Sequence, residues 1–471
     1  MIDLNGIIGV QADSPDDVSA VASLMLGALK HRGPFTRVET TDYGSGKAVA
    51  LACLFHPGTV EEITRSHMTI VALNGSFYGK RYDSSSKHVL REVEHSTLRG
   101  LREVTSEVGG FSGLVARSGT LCGFRDVNGL RPLFYGRLGG KVAFASERKA
   151  LWRIGLTHVQ AVPPGFTINL ARERIIKTRQ VYFGRPRKRK ITFRSASTTL
   201  QRLLFASIRR ITDRTSRICV AFSGGLDSAV TAAVARNVGV DIQAVSVGLE
   251  GSSEVSTVES FGNDLGLRVR LQTFAADSIE MDVRRVLWLI EEPNLMKLSV
   301  AIPLHWAAMV AAQCGFGVML CGQGSDELYG GYSKYAATLK KGGRRALAAQ
   351  LYRSVIESHR VNYDRDDQAT SPFPVELRTP FADPDLIRFS LEIPTEFKVR
   401  DGDDVTRKWI LRDVAKNIGV PENIVWRRKK AIQHGTGVEK AILKLAKSRG
   451  LGVDEYLSRT FDEVRKLDSM P

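Results

Sequence analysis

Short apolar runs broken by glycine-rich turns dominate the first third of the chain. Ile70–Leu73, Gly113–Ala116, Leu133–Tyr135 and Val142–Ala145 are such runs, and Arg137-Leu138-Gly139-Gly140 is such a turn. This pattern predicts strands. Helical apolar spacing appears at Ser19–Lys30 and around Lys87–Glu94. Gly6 to about Tyr182 therefore reads as an α+β domain. From Ser195 the period changes. A predicted helix, Thr198–Ile211, leads to a strand at Ile218–Phe222, a small-residue helix at Ala229–Asn237 and a strand at Ile242–Val247. A helix at Val255–Leu265, a strand at Val269–Phe274, a longer helical region and a strand at Gly317–Cys321 follow. Near-continuous apolar strands alternating with helices predict a parallel, doubly wound sheet. Beyond about Gly342 the pattern is mostly helical.

The chain has 471 residues, which predicts two or three domains. We place them at 1–184 and 195–471. The stretch 185–194 between them opens on Arg185-Pro186-Arg187-Lys188-Arg189-Lys190 and reads as a basic linker. The 43% hydrophobic and 25% charged residues are ordinary for a globular protein and exclude disordered and fibrous classes. No apolar run is read as long enough to span a bilayer. The first residues lack the layout of a signal peptide. A soluble, cytoplasmic protein without a membrane partner is expected. The net charge of +17 points to an anionic partner: a nucleotide, phosphate or nucleic acid. No nucleic-acid recognition motif accompanies it. The five cysteines form no CxxC pair, which argues against a zinc site or disulfide framework. Cys53, Cys122 and Cys219 lie in or beside apolar stretches and read as core residues.

The strongest motif is Phe222-Ser223-Gly224-Gly225-Leu226-Asp227-Ser228, between a predicted strand and helix. Two glycines allow a sharp turn that exposes amide N–H groups, and the helix turns its positive end to the loop. A carboxylate beside phosphates implies Mg²⁺, so Asp227 marks a pyrophosphate-plus-metal loop. The second motif, Cys321-Gly322-Gln323-Gly324-Ser325-Asp326-Glu327, follows a strand at the same carboxyl edge, where such sheets bind ligands. Asp227 and Asp326 together are candidate metal ligands.

The first motif resembles the signature of ATP pyrophosphatases with a PP-loop, which cleave ATP between its α- and β-phosphates. Both motifs, in this order, resemble the synthetase domain of the asparagine synthetase family. Ser246-Val247-Gly248-Leu249 resembles its adenine-reading strand, Arg378-Thr379-Pro380-Phe381-Ala382-Asp383 its R-x-P-F-x-D segment, and Trp426–Ala431 its R-x-K segment. The resemblance implies ATP and Mg²⁺ as cofactors. It implies nucleotide contacts from Ala221, Ser223, Gly224, Gly225, Leu226, Asp227, Ser228, Val247, Cys321 and Gly322. It also implies catalytic roles for Lys429, Gln323 and Asp227, with Lys429 against the departing phosphates. Toward the N-terminus, Asn5–Val10, His31-Arg32-Gly33-Pro34, Leu73–Tyr78, Phe124–Tyr135 and Ala145–Leu151 resemble the family's glutaminase half, of the N-terminal-nucleophile class. The expected fold is thus an α+β N-terminal-nucleophile-hydrolase-like domain followed by an α/β PP-loop domain with a helical C-terminal part.

Two departures shape the expected chemistry. Asn5 stands where the family has its cysteine nucleophile, and an amide cannot replace a thiolate. Cys53 is the alternative nucleophile. No clear equivalent of the family's glutamine-binding acid appears at Asp83–Lys87. Gln323 stands where members often carry Glu, and Gln is no general base, although it can orient ligands. In the loosely matching segment 291–303, Glu291 or Glu292 could meet a substrate amine and Lys297 a carboxylate. The expectation is an AMP-forming carbon–nitrogen ligase that acts on a small carboxylate, aspartate first, with free ammonia or an amine. A separate glutaminase partner and a homodimer stay open. So do a β-lactam- or macrocycle-forming synthetase, a tRNA-modifying enzyme and a catalytically inactive scaffold.

Overall fold

The computed structural model describes residues 5–43, 48–59, 62–67, 69–80, 82–139, 141–170, 175–179, 184, 190–252, 255–428 and 432–467. The predicted N-terminal strands and helices form, with boundaries shifted by a few residues. Their order is β1 (Asn5–Ala12), α1 (Pro15–Gly27), β2 (Phe35–Asp42), β3 (Ala48–Phe55), β4 (Ile63–Ser66), β5 (Thr69–Phe77), α2 (Ser85–His95) and α3 (Thr97–Thr105). Then come β6 (Gly109–Arg117), β7 (Thr120–Arg125), β8 (Phe134–Leu138), β9 (Lys141–Ala145), α4 (Arg148–Trp152), β10 (Gln160–Ala161), β11 (Phe166–Leu170) and β12 (Ile175–Arg179). Helix α1 starts four residues before the predicted Ser19 because Ser14 caps it, accepting from the Asp17 N–H, and Pro15 suits the first turn.

Among the described residues these strands make two six-stranded sheets, ordered β10-β8-β9-β1-β3-β2 and β12-β11-β7-β6-β5-β4. Side-chain alternation splits each sheet between two cores. On β3, Val49, Leu51 and Cys53 face the space between the sheets, where they meet Ile70 and Ala72 of β5. Ala50, Ala52 and Leu54 face outward under α1 and α4. Val71 and Leu73 of β5 pack on the other outer side against α2 and α3. The result is four layers: helix, sheet, sheet, helix.

The second half runs α5 (Phe193–Thr212), β13 (Arg217–Ala221), α6 (Leu226–Asn237), β14 (Asp241–Leu249), α7 (Val255–Asp264), β15 (Arg268–Phe274), α8 (Ile279–Ile290), α9 (Leu295–Gln313) and β16 (Val318–Leu320). It continues with α10 (Ser325–Tyr329), α11 (Ser333–Ser358), α12 (Asp364–Thr370), β17 (Glu376–Arg378), α13 (Pro384–Glu392) and α14 (Trp409–Asn417). The parallel sheet is ordered β15-β14-β13-β16-β17. It has five strands among the described residues; the fifth, β17, is too short to show as an apolar run. Ile218, Val220, Val318 and Leu320 face α5, α6, α13 and α14. Cys219 and Met319 face α8 and α9. A helix that spans 19 residues, α9, is long and apolar enough to cross a membrane by composition, contrary to the sequence reading of no such run. It is a core helix here: Leu298, Ile302 and Trp306 are buried against α8 and the sheet.

The strand order reverses between β13 and β16. Loops leaving those two strands at their carboxyl ends flank one crevice, the usual ligand position in such sheets.

Candidate functional site

The loop after β13 turns at Gly224, whose φ of +64° a side chain adopts poorly. Space is closed there too: a Cβ would sit 2.8 Å from the Phe261 ring. The Gly224 carbonyl accepts from Arg427 Nη1 at 2.8 Å, and the Arg427 guanidinium lies over the Phe261 ring. Ser228 Oγ accepts from the Ser223 N–H at 3.3 Å and donates to the Gly225 carbonyl at 3.0 Å. These bonds fix the turn so that α6 begins with its N-terminus toward the crevice.

The second loop is equally confined. A Cβ on Gly322 would lie 2.7 Å from Asp227 Cβ, so only glycine lets the two loops approach. Ser325 Oγ donates to Asp227 Oδ1 at 2.7 Å, which ties the loops together. Cys321 N–H donates to the Arg378 carbonyl at 3.2 Å, which docks β17 behind them.

The cleft so formed is lined by Ser223, Gly225, Leu226, Asp227, Gly331, Thr406, Lys408, Arg412, Arg427 and Arg428. Four cations face it against one carboxylate, a balance that suits a polyanion. Two of them, Lys408 and Arg412, carry no motif in the sequence, whereas Arg427 and Arg428 belong to the Trp426–Ala431 segment. Lys408 Nζ lies 2.6 Å from both Asp227 Oδ1 and Asp326 Oδ1. Lys408 precedes α14 with φ 54° and ψ 33°, and Arg407 before it also has positive φ. Such backbone, off glycine, persists only where its surroundings hold it. Asp404 does so, accepting at Oδ1 from the N–H groups of Thr406 and Arg407 at 2.9 Å.

The expected residues fall into three groups. Ser223, Gly225, Leu226 and Asp227 line the cleft, and Gly224, Ser228, Gly322 and Asp326 brace it. Ala221 ends β13 at the crevice, whereas Val247 on β14, Cys321 and Gln323 do not line the cleft; Cys321 Sγ lies 3.4 Å from Thr379 Oγ1 in the interior. Lys429 lies outside the described residues. The charged residues of 291–303 are engaged elsewhere. Glu291 accepts from the N–H groups of Arg148 and Lys149 at 3.0 and 2.6 Å and so joins the two halves. Glu292 and Lys297 pair with each other at 2.5 Å. Cys53 is fully buried between the N-terminal sheets, which gives a nucleophile no access to substrate.

The Asp227–Asp326 pair fits Mg²⁺ by its chemistry. Two carboxylates converge on one point, and Mg²⁺ takes one or two carboxylates and completes its shell with phosphate oxygens and water. Among the described residues no group of three or more His, Cys, Asp or Glu gathers to hold a metal, so a full protein cage is not built there.

The N-terminal motifs meet at the boundary with the second half. Glu147 holds His31 at 2.9 Å and also pairs with Arg32 and Lys149. Arg32 reaches Asp367 at 2.7 Å, and Arg131 reaches Asp367 and Glu376 at 3.0 Å each. Against burial, the contact with the His31 ring and the charges of Lys149 and Arg32 hold the Glu147 carboxyl well below its usual range. Burial drives His31 down to about 4, so its ring is neutral at pH 7. The main chain of Asn5 opens β1 opposite Phe55, beside this network through Gly6 and Arg32.

Fold and crevice define a doubly wound α/β domain with an anion-receptive cleft at its switch point, joined to a four-layer α+β domain. The Asparagine synthase family model matches residues 199–362 and 339–451. A putative glutamine-hydrolysing asparagine synthetase of Methanocaldococcus jannaschii is 30% identical over 385 residues, covering 71% of this chain and 70% of that one. The glutamine-hydrolysing asparagine synthetase of Asparagus officinalis is 28% identical over 342 residues, covering 69% of this chain and 56% of that one. A solved allosteric regulatory enzyme of purine biosynthesis overlaps 56% of this chain and 80% of its own at 14% identity and a TM-score of 0.33. The chain belongs to the asparagine synthetase family.

Proposed function

We propose that this chain is an ATP-dependent amide-forming ligase. It activates a small carboxylate, aspartate as first candidate, as an acyl-adenylate with release of pyrophosphate, and an amine or free ammonia then displaces AMP. The observation that carries this reading is the convergence at the switch point: a glycine turn at a helix N-terminus, the Asp227–Asp326 pair, and Lys408, Arg427 and Arg428 around one cleft. The N-terminus of α6 and these cations would hold the polyphosphate. Fixed positive charge would stabilise the charge that develops on departing pyrophosphate. Mg²⁺, held by Asp227 and Asp326, would neutralise the phosphate oxygens. Lys429 is assigned to the same leaving group and Gln323 to orienting the nitrogen nucleophile.

Nitrogen from solution, rather than from glutamine, is supported by Asn5 at the nucleophile position and by the burial of Cys53. The test is amide formation from Mg-ATP and aspartate, with ammonium or with glutamine as the donor. Product with ammonium and none with glutamine is expected. Product with glutamine at equal efficiency overturns the nitrogen assignment.

A further inference from the structure

The Lys408 ammonium stands where the metal reading above would put a cation. Its Nζ is 2.6 Å from Asp227 Oδ1, 2.6 Å from Asp326 Oδ1 and 3.2 Å from Ser325 Oγ. Mg²⁺ binds carboxylate oxygens at roughly 2.0–2.1 Å, so ammonium and metal cannot share that point. The position is built rather than incidental. The side chain is buried, and its backbone is held left-handed. Arg407 Nε donates to the Gly331 carbonyl at 3.0 Å, and Arg412 Nε donates to the Arg407 carbonyl at 2.8 Å. A Cβ on Gly331 would meet Asp326 Oδ1 at 1.8 Å and Lys408 Cε at 2.2 Å, so Gly331 gives the lysine its path. The same side chain also lines the cleft, beside Ser223, Gly225, Arg427 and Arg428.

We propose that Lys408 is the resident counter-ion of the Asp227–Asp326 pair and yields the pair when Mg-nucleotide binds, turning its ammonium from the carboxylates to the polyphosphate. Without nucleotide the pair is already neutralised, so free divalent ions bind poorly. With nucleotide, the phosphates supply both extra metal ligands and a new partner for the lysine. Metal and nucleotide binding are thereby linked: each favours the arrangement the other needs. This inference rests on the ATP-and-metal reading of the site.

The test is Mn²⁺ binding to the full chain without nucleotide, followed by electron paramagnetic resonance, for wild type, Lys408→Met and Lys408→Gln. Removing the ammonium leaves two converging carboxylates that only a cation relieves. Mn²⁺ should therefore bind either variant at least about tenfold tighter than wild type. MgCl₂ should raise the melting temperature of the variants and leave that of wild type unchanged. Two variants are used so that a folding failure in one leaves the other, and either suffices. Equal or weaker Mn²⁺ binding in the folded variant overturns the inference. Absence of nucleotide binding by wild type would instead overturn the ATP reading, whatever the Mn²⁺ result.

Discussion

Asp227 is drawn into four relationships at once: with Ser325, with Lys408, with the start of α6 and with the tight approach of Gly322. Asp227→Ala should therefore abolish pyrophosphate release from Mg-ATP. Cys53→Ala, in the core between the N-terminal sheets, should change turnover little. Unimpaired turnover in the Asp227 variant would contradict the site assignment. A second residue makes a pH prediction. Burial brings His305 down to about 4, against a partial pull upward from the Ala369 carbonyl, 2.8 Å from Nδ1. The unfolded imidazole takes a proton near its ordinary 6.5, while the folded one waits until about 4. Between those values the unfolded state binds more protons, so stability falls as pH drops through the window. His305→Gln has no such titration. The stability advantage of wild type over this variant should shrink by about 2 kcal/mol from pH 7 to pH 5 in urea unfolding. A constant gap would mean that the native ring is already charged or exposed.

At the scale of elements, the parts of the site that could be read in sequence are those that a short segment determines. The Ser223–Ser228 loop carries its own turn glycines, serines and acid, bounded by an apolar strand and an alanine-rich helix. The 321–327 loop does the same. Lys408 and Arg412 carry no comparable local signal. Lys408 reaches the cleft because Asp404 bends the chain before α14 and because β17 and α13 have already placed that segment over the switch point. The left-handed backbone at Arg407 and Lys408 is a tertiary outcome that neither residue type announces. Glu291 failed as a substrate contact for the same reason: its partners, the first N–H groups of α4, come from the other domain. The loop contact itself is testable. Gly322→Ala puts a methyl 2.7 Å from Asp227 Cβ and 3.0 Å from its backbone. Overpacking of this kind costs about 1–3 kcal/mol. Nucleotide affinity should fall by about tenfold or more, as read by isothermal titration. Unchanged affinity would show that the loops separate freely.

At the scale of the whole molecule, the N-terminal motifs that resemble a glutaminase are placed to grip the synthetase half. Arg32, Arg131 and Glu147 are all buried, and their partners Asp367 and Glu376 lie on α12 and β17. Through β17 the network abuts the nucleotide edge, since Val318–Leu320 pairs with Glu376–Arg378. The pattern of apolar runs foretold strands in the first half and the parallel sheet of the second. It did not foretell which charged residues would be buried between them, because that depends on the opposing surface. Removing one member of a buried ion pair leaves its partner uncompensated, at about 3–5 kcal/mol. Arg131→Met should lower the denaturation free energy by that amount, and both halves should unfold in one transition. Separate melting of the N-terminal half, with the synthetase half intact, would contradict a shared interface.

The central claim is cleavage of ATP between the α- and β-phosphates with transfer of AMP to a carboxylate. The most direct measurement uses aspartate labelled with ¹⁸O in its side-chain carboxylate, together with Mg-ATP and ammonium, and mass analysis of the nucleotide product. The account predicts AMP that carries one ¹⁸O atom, with pyrophosphate as the other product. ADP and orthophosphate, or AMP without label, would contradict it.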